Sequence, residues 1–234
     1  MSDPQTHPQR WLYGRRRGRA LRPGQRRLKE VLLPRVAFAL GEGGSLEPRR
    51  LFTHPVDAVW LELGFGAGEH LAAQAAAHRA IGCIGAEVFE NGVVKLLAVI
   101  EREHLDNIRL FIDDGRRLIA ALPSASIART FILFPDPWPK ERHKKRRLVA
   151  QETLDALARV MGDGAELRLA TDDEDYAAAM RDCVAAHPLF VGGEEARERP
   201  ADWPPTRYEQ KALAAGRNPL YLRTLRRARG EMIS

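Results

Sequence analysis

Residues 58–69 read Ala58-Val-Trp-Leu-Glu62-Leu-Gly64-Phe-Gly66-Ala-Gly68-Glu69: a short apolar run, three alternate glycines, and the start of an alanine-rich stretch. An apolar run of this length bounded by glycines fits a buried strand, and the glycines let the backbone turn sharply and pass close to a ligand. Residues 69–79 continue as a helix whose first N–H groups face the same loop. The segments downstream repeat this unit. Residues 81–88 are strand-like, and Val93, Val94, Leu96, Leu97 and Ile100 then recur at the spacing of one buried helix face. Residues 107–112 predict a third strand, 116–122 a short helix and 130–134 a fourth strand. Leu148, Leu154, Leu157 and Met161 mark another helix, Gly162-Asp-Gly164 a turn, residues 167–170 a fifth strand, and Tyr176, Met180 and Val184 the face of the helix after it. Such alternation predicts an α/β fold with a mostly parallel sheet and helices on both faces. Residues 189–191 and 220–225 are the last strand candidates. No long helical pattern separates them, so the C-terminal end of a seven-stranded sheet is expected to be antiparallel.

Composition sets the outer bounds. The 234 residues are 44% hydrophobic and 29% charged, enough to bury a core in one domain. Lys and Arg number 37 against 31 Asp and Glu, a balance that favours a polyanionic partner. Cys83 and Cys183 are far apart with no CxxC pair, which argues against a disulfide framework or structural zinc and suits a reducing cytoplasm. The histidines show no ligand spacing, so no metal is expected. The arginine-rich N-terminus lacks an apolar leader core, and no apolar stretch is long enough to span a bilayer, so neither secretion nor membrane insertion is expected. Residues 10–29 hold Arg10, Arg15, Arg16, Arg17, Arg19, Arg22, Arg26, Arg27 and Lys29 without one acid. This basic arm is either a solubilising tail or a nucleic-acid contact, and its Trp11 and Tyr13 suit stacking on bases. Gly41-Glu-Gly-Gly-Ser45 leads from the apolar patch 31–40 into a loop before the folded body.

The chemistry-bearing residues fall where strands end, which is where such sheets bind ligands. Gly64, Gly66 and Gly68 form the first loop. A dinucleotide fingerprint needs a small residue at position 69, whereas Glu69 would lie against a pyrophosphate, so an NAD oxidoreductase ranks last. Glu87 closes the second strand, suited to accept from ribose hydroxyls, and Asp114, taken over the adjacent Asp113 because it is nearer the helix start, closes the third, suited to an adenine edge. With Glu62 and Asp136 they follow strands one to four. An adenosine carrying a cationic group explains these acids better than a nucleotide does. Asp136 lies in Phe134-Pro-Asp-Pro-Trp-Pro-Lys140, where Pro135 and Pro137 fix their own φ and bias the residues before them to extended backbone. The run Arg142-His143-Lys144-Lys145-Arg146-Arg147 follows, either a solvated helix start or a phosphate-binding surface. Trp138 is core packing or a stacking platform. Asp172 opens an acidic helix start in which Asp173, Glu174 and Asp175 suit the helix dipole alone, at about 0.3–1 kcal/mol each.

Taken together, the glycine loop 62–68, Gly85-Ala-Glu87-Val, the 134–147 segment, Ala170-Thr-Asp172 and Trp203-Pro-Pro-Thr206-Arg-Tyr-Glu209 resemble the bacterial tRNA (guanine-N7)-methyltransferases over roughly residues 55–225. The resemblance implies a Rossmann-like class I S-adenosylmethionine-dependent methyltransferase acting on N7 of a guanosine in the tRNA variable loop. It implies a cofactor set of Glu62, Gly64, Gly66, Gly68, Glu87, Asp114 and Asp136, with Asp136 also catalytic. Lys140, Asp172 and the segment Thr206, Arg207, Tyr208, Glu209 would hold the RNA substrate, and Arg142, His143, Lys144, Lys145, Arg146 and Arg147 its backbone. Residues 1–50 form the arm and lead-in, partly disordered, and 51–234 a single methyltransferase domain, working as monomer or homodimer without an obligate protein partner. Two stretches depart from the family pattern. Phe89-Glu90-Asn91-Gly92 stands where the family has His and a Pro-Gly pair, and Thr206-Arg207-Tyr208-Glu209 where it has Thr-Lys-Phe-Glu. A same-fold methyltransferase acting on a protein or small-molecule nitrogen, and a non-enzymatic RNA-binding protein, are the alternatives; salt-dependent tRNA binding separates the first, cofactor affinity the second.

Overall fold

The structure is a computed structural model and describes residues 16–41 and 46–231; the expectations for Arg10, Trp11, Tyr13, Arg15 and the glycines at 43 and 44 lie outside them. The central strand is β2 (Ala58–Leu63), and β1 (Ala37–Phe38), β3 (Ile81–Ala86), β4 (Ile108–Phe111), β5 (Ile127–Leu133), β6 (Met161–Thr171), β7 (Phe190–Ala196) and β8 (Leu220–Arg226) complete one sheet. Their spatial order is β1-β4-β3-β2-β5-β6-β8-β7. All pairings from β1 to β6 are parallel, while β8 runs antiparallel to both β6 and β7.

Among the described residues the sheet has eight strands where seven were expected. The extra strand is the two-residue β1, which pairs Ala37 with Leu110 and Phe38 with Phe111 on the edge of β4. Two residues carry no readable period, so pattern alone cannot find such a strand. The turn expected at Gly162–Gly164 is instead a bulge inside β6: between Ile127↔Met161 and Arg129↔Glu166, two steps on β5 face five on β6. Gly164, at φ 71°, supplies the left-handed residue that lets the chain loop out and rejoin the ladder.

Helices α1 (Pro23–Val31), α2 (Leu33–Val36), α3 (Glu69–Ala77) and α4 (Glu90–Glu103) bring Leu28, Val36, Leu71, Val93, Leu97 and Ile100 to one face of the sheet. Helices α5 (Gly115–Ala121), α6 (Gln151–Val160) and α7 (Glu174–Ala186) bring Leu118, Ile119, Leu154, Leu157, Tyr176 and Met180 to the other. Residues of β2 serve both layers in turn, Val59, Leu61 and Leu63 to the second and Trp60 to a smaller cluster with Phe131, Trp203 and Tyr221. That alternation is the period-two geometry of a strand buried on both faces. Three α-helices among the described residues were not foreseen: α1 and α2 lie in the stretch read as a partly disordered arm and lead-in, and α8 (Arg207–Ala214) lies between β7 and β8. The signal for α8 was present as Thr206-x-x-Glu209, a capping box in which Thr206 Oγ1 accepts the Glu209 N–H at 3.0 Å and Glu209 accepts the Thr206 N–H at 3.2 Å. Among the described residues no helix is long and apolar enough to cross a membrane.

Candidate active site

Strand order reverses at β2, with β3 on one side and β5 on the other, and a cleft of about 360 Å³ opens at the carboxyl ends of these strands. It is lined by Gly64 and Gly66 after β2, Glu87 to Phe89 after β3, Asp113 to Arg116 after β4, and Phe134, Pro135, Asp136, Trp138, Arg146 and Leu148 after β5. Tyr208 of α8 joins them.

Gly64 and Gly66 adopt φ 74° and 58°, left-handed geometry that glycine supplies without strain. Tyr208 lies over this loop so closely that a Cβ on Gly66 would stand 2.9 Å from its Cε2. Glu87 is anchored by three amides: Oε1 accepts from Val88 N–H at 2.7 Å and Phe89 N–H at 2.9 Å, and Oε2 accepts from Gly66 N–H at 2.8 Å. A carboxylate offers about four acceptor positions, so one remains on Oε2. Burial pushes the Glu87 carboxyl above the usual range; the three amide bonds pull the other way, and the Asp136 charge adds to the rise. Asp114 caps α5, its Oδ1 accepting from Arg116 N–H at 2.9 Å, while the Arg116 guanidinium donates to both carboxylate oxygens. The neighbouring Asp113 also lines the cleft and accepts the Asp114 N–H at 2.8 Å.

Asp136 stands at the solvent-open lip, exposed as a residue, yet enough protein surrounds its carboxyl that desolvation raises it above the usual value. Its loop is strained. Phe134 and Trp138 have φ of 52° and 46°, a region costing bulky side chains about 1–3 kcal/mol. The extended geometry expected for Phe134 ahead of Pro135 is therefore overridden. Two contacts hold the loop: Phe134 N–H donates to Ala170 O at 2.7 Å, and Arg147 Nε donates to Pro137 O at 2.8 Å.

Arg147 accordingly sits apart from the exposed basic run. It is buried, paired with Asp175 and stacked over the Tyr176 ring, a brace for the Asp136 loop that is closed to an RNA backbone. The rest of the run forms a 3-10 helix (Glu141–Arg146) in which Arg142 and Lys145 are exposed, as is Lys140 just before it. Lys144 pairs with Glu141 and Asp175, His143 lies edge-on to Trp138, and Arg146 stacks on Trp138 at 5.0 Å.

Glu62 and Gly68 do not line the cleft. Glu62 is buried, its Oε2 2.7 Å from His70 Nδ1, and His70 contacts Gln74 and the Phe131 ring. Gly68, at φ 80°, starts α3, where a Cβ would strike Leu96 at 2.8 Å. Of the C-terminal set only Tyr208 reaches the cleft. Thr206 is the α8 cap, Glu209 is buried against Tyr221 Oη (2.6 Å) and Arg199 (2.9 Å), Arg207 is exposed, and Asp172 pairs with Arg217 at 2.6 Å. Sequence reasoning missed Arg116 as a lining residue, although Asp114-x-Arg116 at a helix start carried its signal; Phe89 was singled out only as part of the departure from the family pattern, and it lines the cleft.

A strand-loop-helix unit repeated across a parallel sheet, with strand-end acids gathered at the switch point, is the fold of the class I S-adenosylmethionine-dependent methyltransferases. A 16S rRNA (adenine(1408)-N(1))-methyltransferase from Catenulisporales acidiphilia, solved with its cosubstrate, shares this fold at a TM-score of 0.53 and 14% identity, over 76% of this chain and 89% of that one. A family model described as a putative methyltransferase matches residues 57–221. The tRNA (guanine-N(7)-)-methyltransferase of Rhodospirillum rubrum is 52% identical over 225 residues, 93% of this chain and 88% of its own length. That of Paramagnetospirillum magneticum is 49% identical over 223 residues, 93% of each. The chain belongs to the tRNA (guanine-N(7)-)-methyltransferase family.

Proposed function

We propose that this protein transfers the methyl group of S-adenosylmethionine to N7 of a guanosine in the variable loop of tRNA, in the cytoplasm. The observation that carries the reading is the single cleft uniting the glycine loop, Glu87, Asp114 and Asp136 with Trp138 and Arg146 of the basic segment.

The residues present fit the cofactor. Its size suits a cleft of this volume. The open acceptor position on Glu87 suits a ribose hydroxyl, and Asp114, fixed as a helix cap, suits the adenine amino group. The acids lining the cleft suit a ligand that carries positive charge and no phosphate. When bound, S-adenosylmethionine supplies an electrophilic methyl group on a sulfonium.

The protein's part is mostly positioning. Guanine N7 is a lone-pair acceptor with no proton, so no general base is required. Aligning N7 with the methyl carbon can supply about 7–11 kcal/mol of barrier lowering. The strained, braced loop carrying Asp136 is suited to that task, because its carboxylate is held at the lip where the base must enter. Attack makes the guanine ring cationic, and Asp136 either stabilises that charge or accepts from the guanine N1–H and amino group. The exposed Lys140, Arg142 and Lys145 offer the phosphate contacts.

The test is direct. Unmodified tRNA incubated with methyl-labelled cofactor, then digested to nucleosides, should carry its label in 7-methylguanosine. Label in any other nucleoside, or in protein, removes the reading.

A further inference from the structure

Helix α4 begins beside the cleft without a side-chain cap, since Phe89 occupies its N-cap position. Its first orphan donor is satisfied from far away in sequence: the Glu90 N–H donates to Arg16 O at 2.9 Å. Asn91 completes the attachment from both sides of its amide. Its Oδ1 accepts the Gly18 N–H at 2.6 Å and its Nδ2 donates to Arg19 O at 2.8 Å. Gly18 is needed for that approach, because a Cβ there would stand 2.6 Å from Asn91 Oδ1 and 3.0 Å from Phe89 Cζ. Farther along, Lys29 pairs with Glu90 and Arg27 with Glu101, and Leu28 is buried in the core beneath α4.

The attachment meets the cleft at two points. Phe89 lines it, and Gly92, one residue beyond Asn91, packs on the glycine loop so tightly that a Cβ would fall 2.0 Å from Gly66 O. The hydrogen bonds that hold Arg16–Arg19 here are made by main-chain groups and one amide, and of the three guanidinium groups only that of Arg17 reaches an acid, at the limit of ion-pair distance. Arg16 and Arg19 are exposed and make no ion pair among the described residues, and Arg17 is 85% exposed and 4.0 Å from Glu90. No Asp or Glu occurs between Asp3 and Glu30.

We propose that Asn91 is a positioning residue that clasps Arg16–Arg19 to the rim of the cleft, so that the arm forms a second cationic wall of the tRNA-binding surface, beside that of residues 140–146. This rests on the tRNA reading above. It also gives Asn91, one of the residues by which the chain departs from the family pattern, a defined role.

The test uses the full-length chain in three forms: Asn91→Ala, Asn91→Asp, and Arg16→Gln with Arg17→Gln and Arg19→Gln together. The last alters only exposed side chains and leaves the main-chain bonds to Glu90 and Asn91 in place. tRNA affinity is measured against salt without cofactor, cofactor affinity without RNA, and KM and kcat for methyl transfer. The triple variant should lower the slope of log affinity against log salt by about two to three. Asn91→Ala should flatten the slope in the same direction and raise the tRNA KM roughly tenfold, with kcat at saturation and cofactor affinity within about twofold. Asn91→Asp keeps the acceptor for Gly18 and should fall between. An unchanged slope and KM in Asn91→Ala, or a loss confined to kcat or cofactor affinity, overturns the clasp. The two readings fail separately. Wild-type protein that forms 7-methylguanosine alongside clasp variants indistinguishable from it removes the clasp alone. Wild-type protein that binds tRNA but forms no 7-methylguanosine removes the methylation reading and leaves the clasp to be judged by the slopes. Wild-type protein that binds no tRNA overturns both.

Discussion

At the residue scale, the proposed chemistry turns on Glu87 and Asp136, two carboxyls that the protein raises above their ordinary values, chiefly by desolvation. Between the usual carboxylate range and the raised values the native state holds protons that the unfolded chain has released. Their contribution therefore lowers stability as pH rises through that window. A cationic ligand reverses the shift, so its binding releases protons and weakens as pH falls into the same window. Titrations across that range should show a steeper loss of affinity for S-adenosylmethionine than for its uncharged thioether product, and superimposable profiles would refute the coupling. Asp136→Asn keeps shape and removes charge. We expect it to cut methyl transfer by at least about a hundredfold while cofactor affinity changes far less, as read from single-turnover rates beside direct binding; comparable rates would take Asp136 out of the mechanism.

At the scale of elements, α8 is the piece with most influence for its length. Its capping box holds the turn from which Tyr208 reaches over Gly66, and Glu209 is locked below by Tyr221 and Arg199. Thr206→Ala removes a cap worth about 1 kcal/mol, so thermal unfolding should come roughly 2–4 °C earlier. Cofactor affinity should weaken severalfold as Tyr208 loosens, and an unaltered affinity would show that α8 does not close the site. The same element marks a limit of pattern reading. Helix α4 was legible because five apolar residues repeat on one face, whereas α8 is eight residues with only Glu209 and Ala212 buried, and its cap was the sole clear mark. Arg147 shows the converse: six of seven residues in 142–148 are basic or histidine and look alike in sequence, but only Arg147 meets a buried carbonyl, an acid and an aromatic face.

Over the whole molecule, residues 51–231 share one sheet, with both main core clusters built on the same strands. A sheet common to two layers couples their melting. We propose that this body is a single domain, and unfolding followed by far-UV circular dichroism and by fluorescence of Trp60, Trp138 and Trp203 should give coincident transitions. Separate midpoints would divide the body. The arm is joined to the same unit through α1, whose Leu28 is buried under α4 and whose flanking residues bond Glu90 and Asn91.

The sequence by itself determined the parallel α/β plan, the glycine loop, and the placement of acids after successive strands, because strand and helix periods and glycine's backbone freedom are local properties. The candidate cofactor acids Glu87, Asp114 and Asp136 were legible for the same reason: each ends a recognisable strand. Only the tertiary structure decided which charges face the cleft and which are consumed inside the fold. Glu62 is taken by His70, Arg147 by the loop it braces, and Glu209 by Tyr221, while Phe89 and Tyr208 reach the cleft from elements far apart in the chain. A charged side chain's role depends on its nearest partner and its exposure to water, and both are set by packing between segments that no local pattern relates.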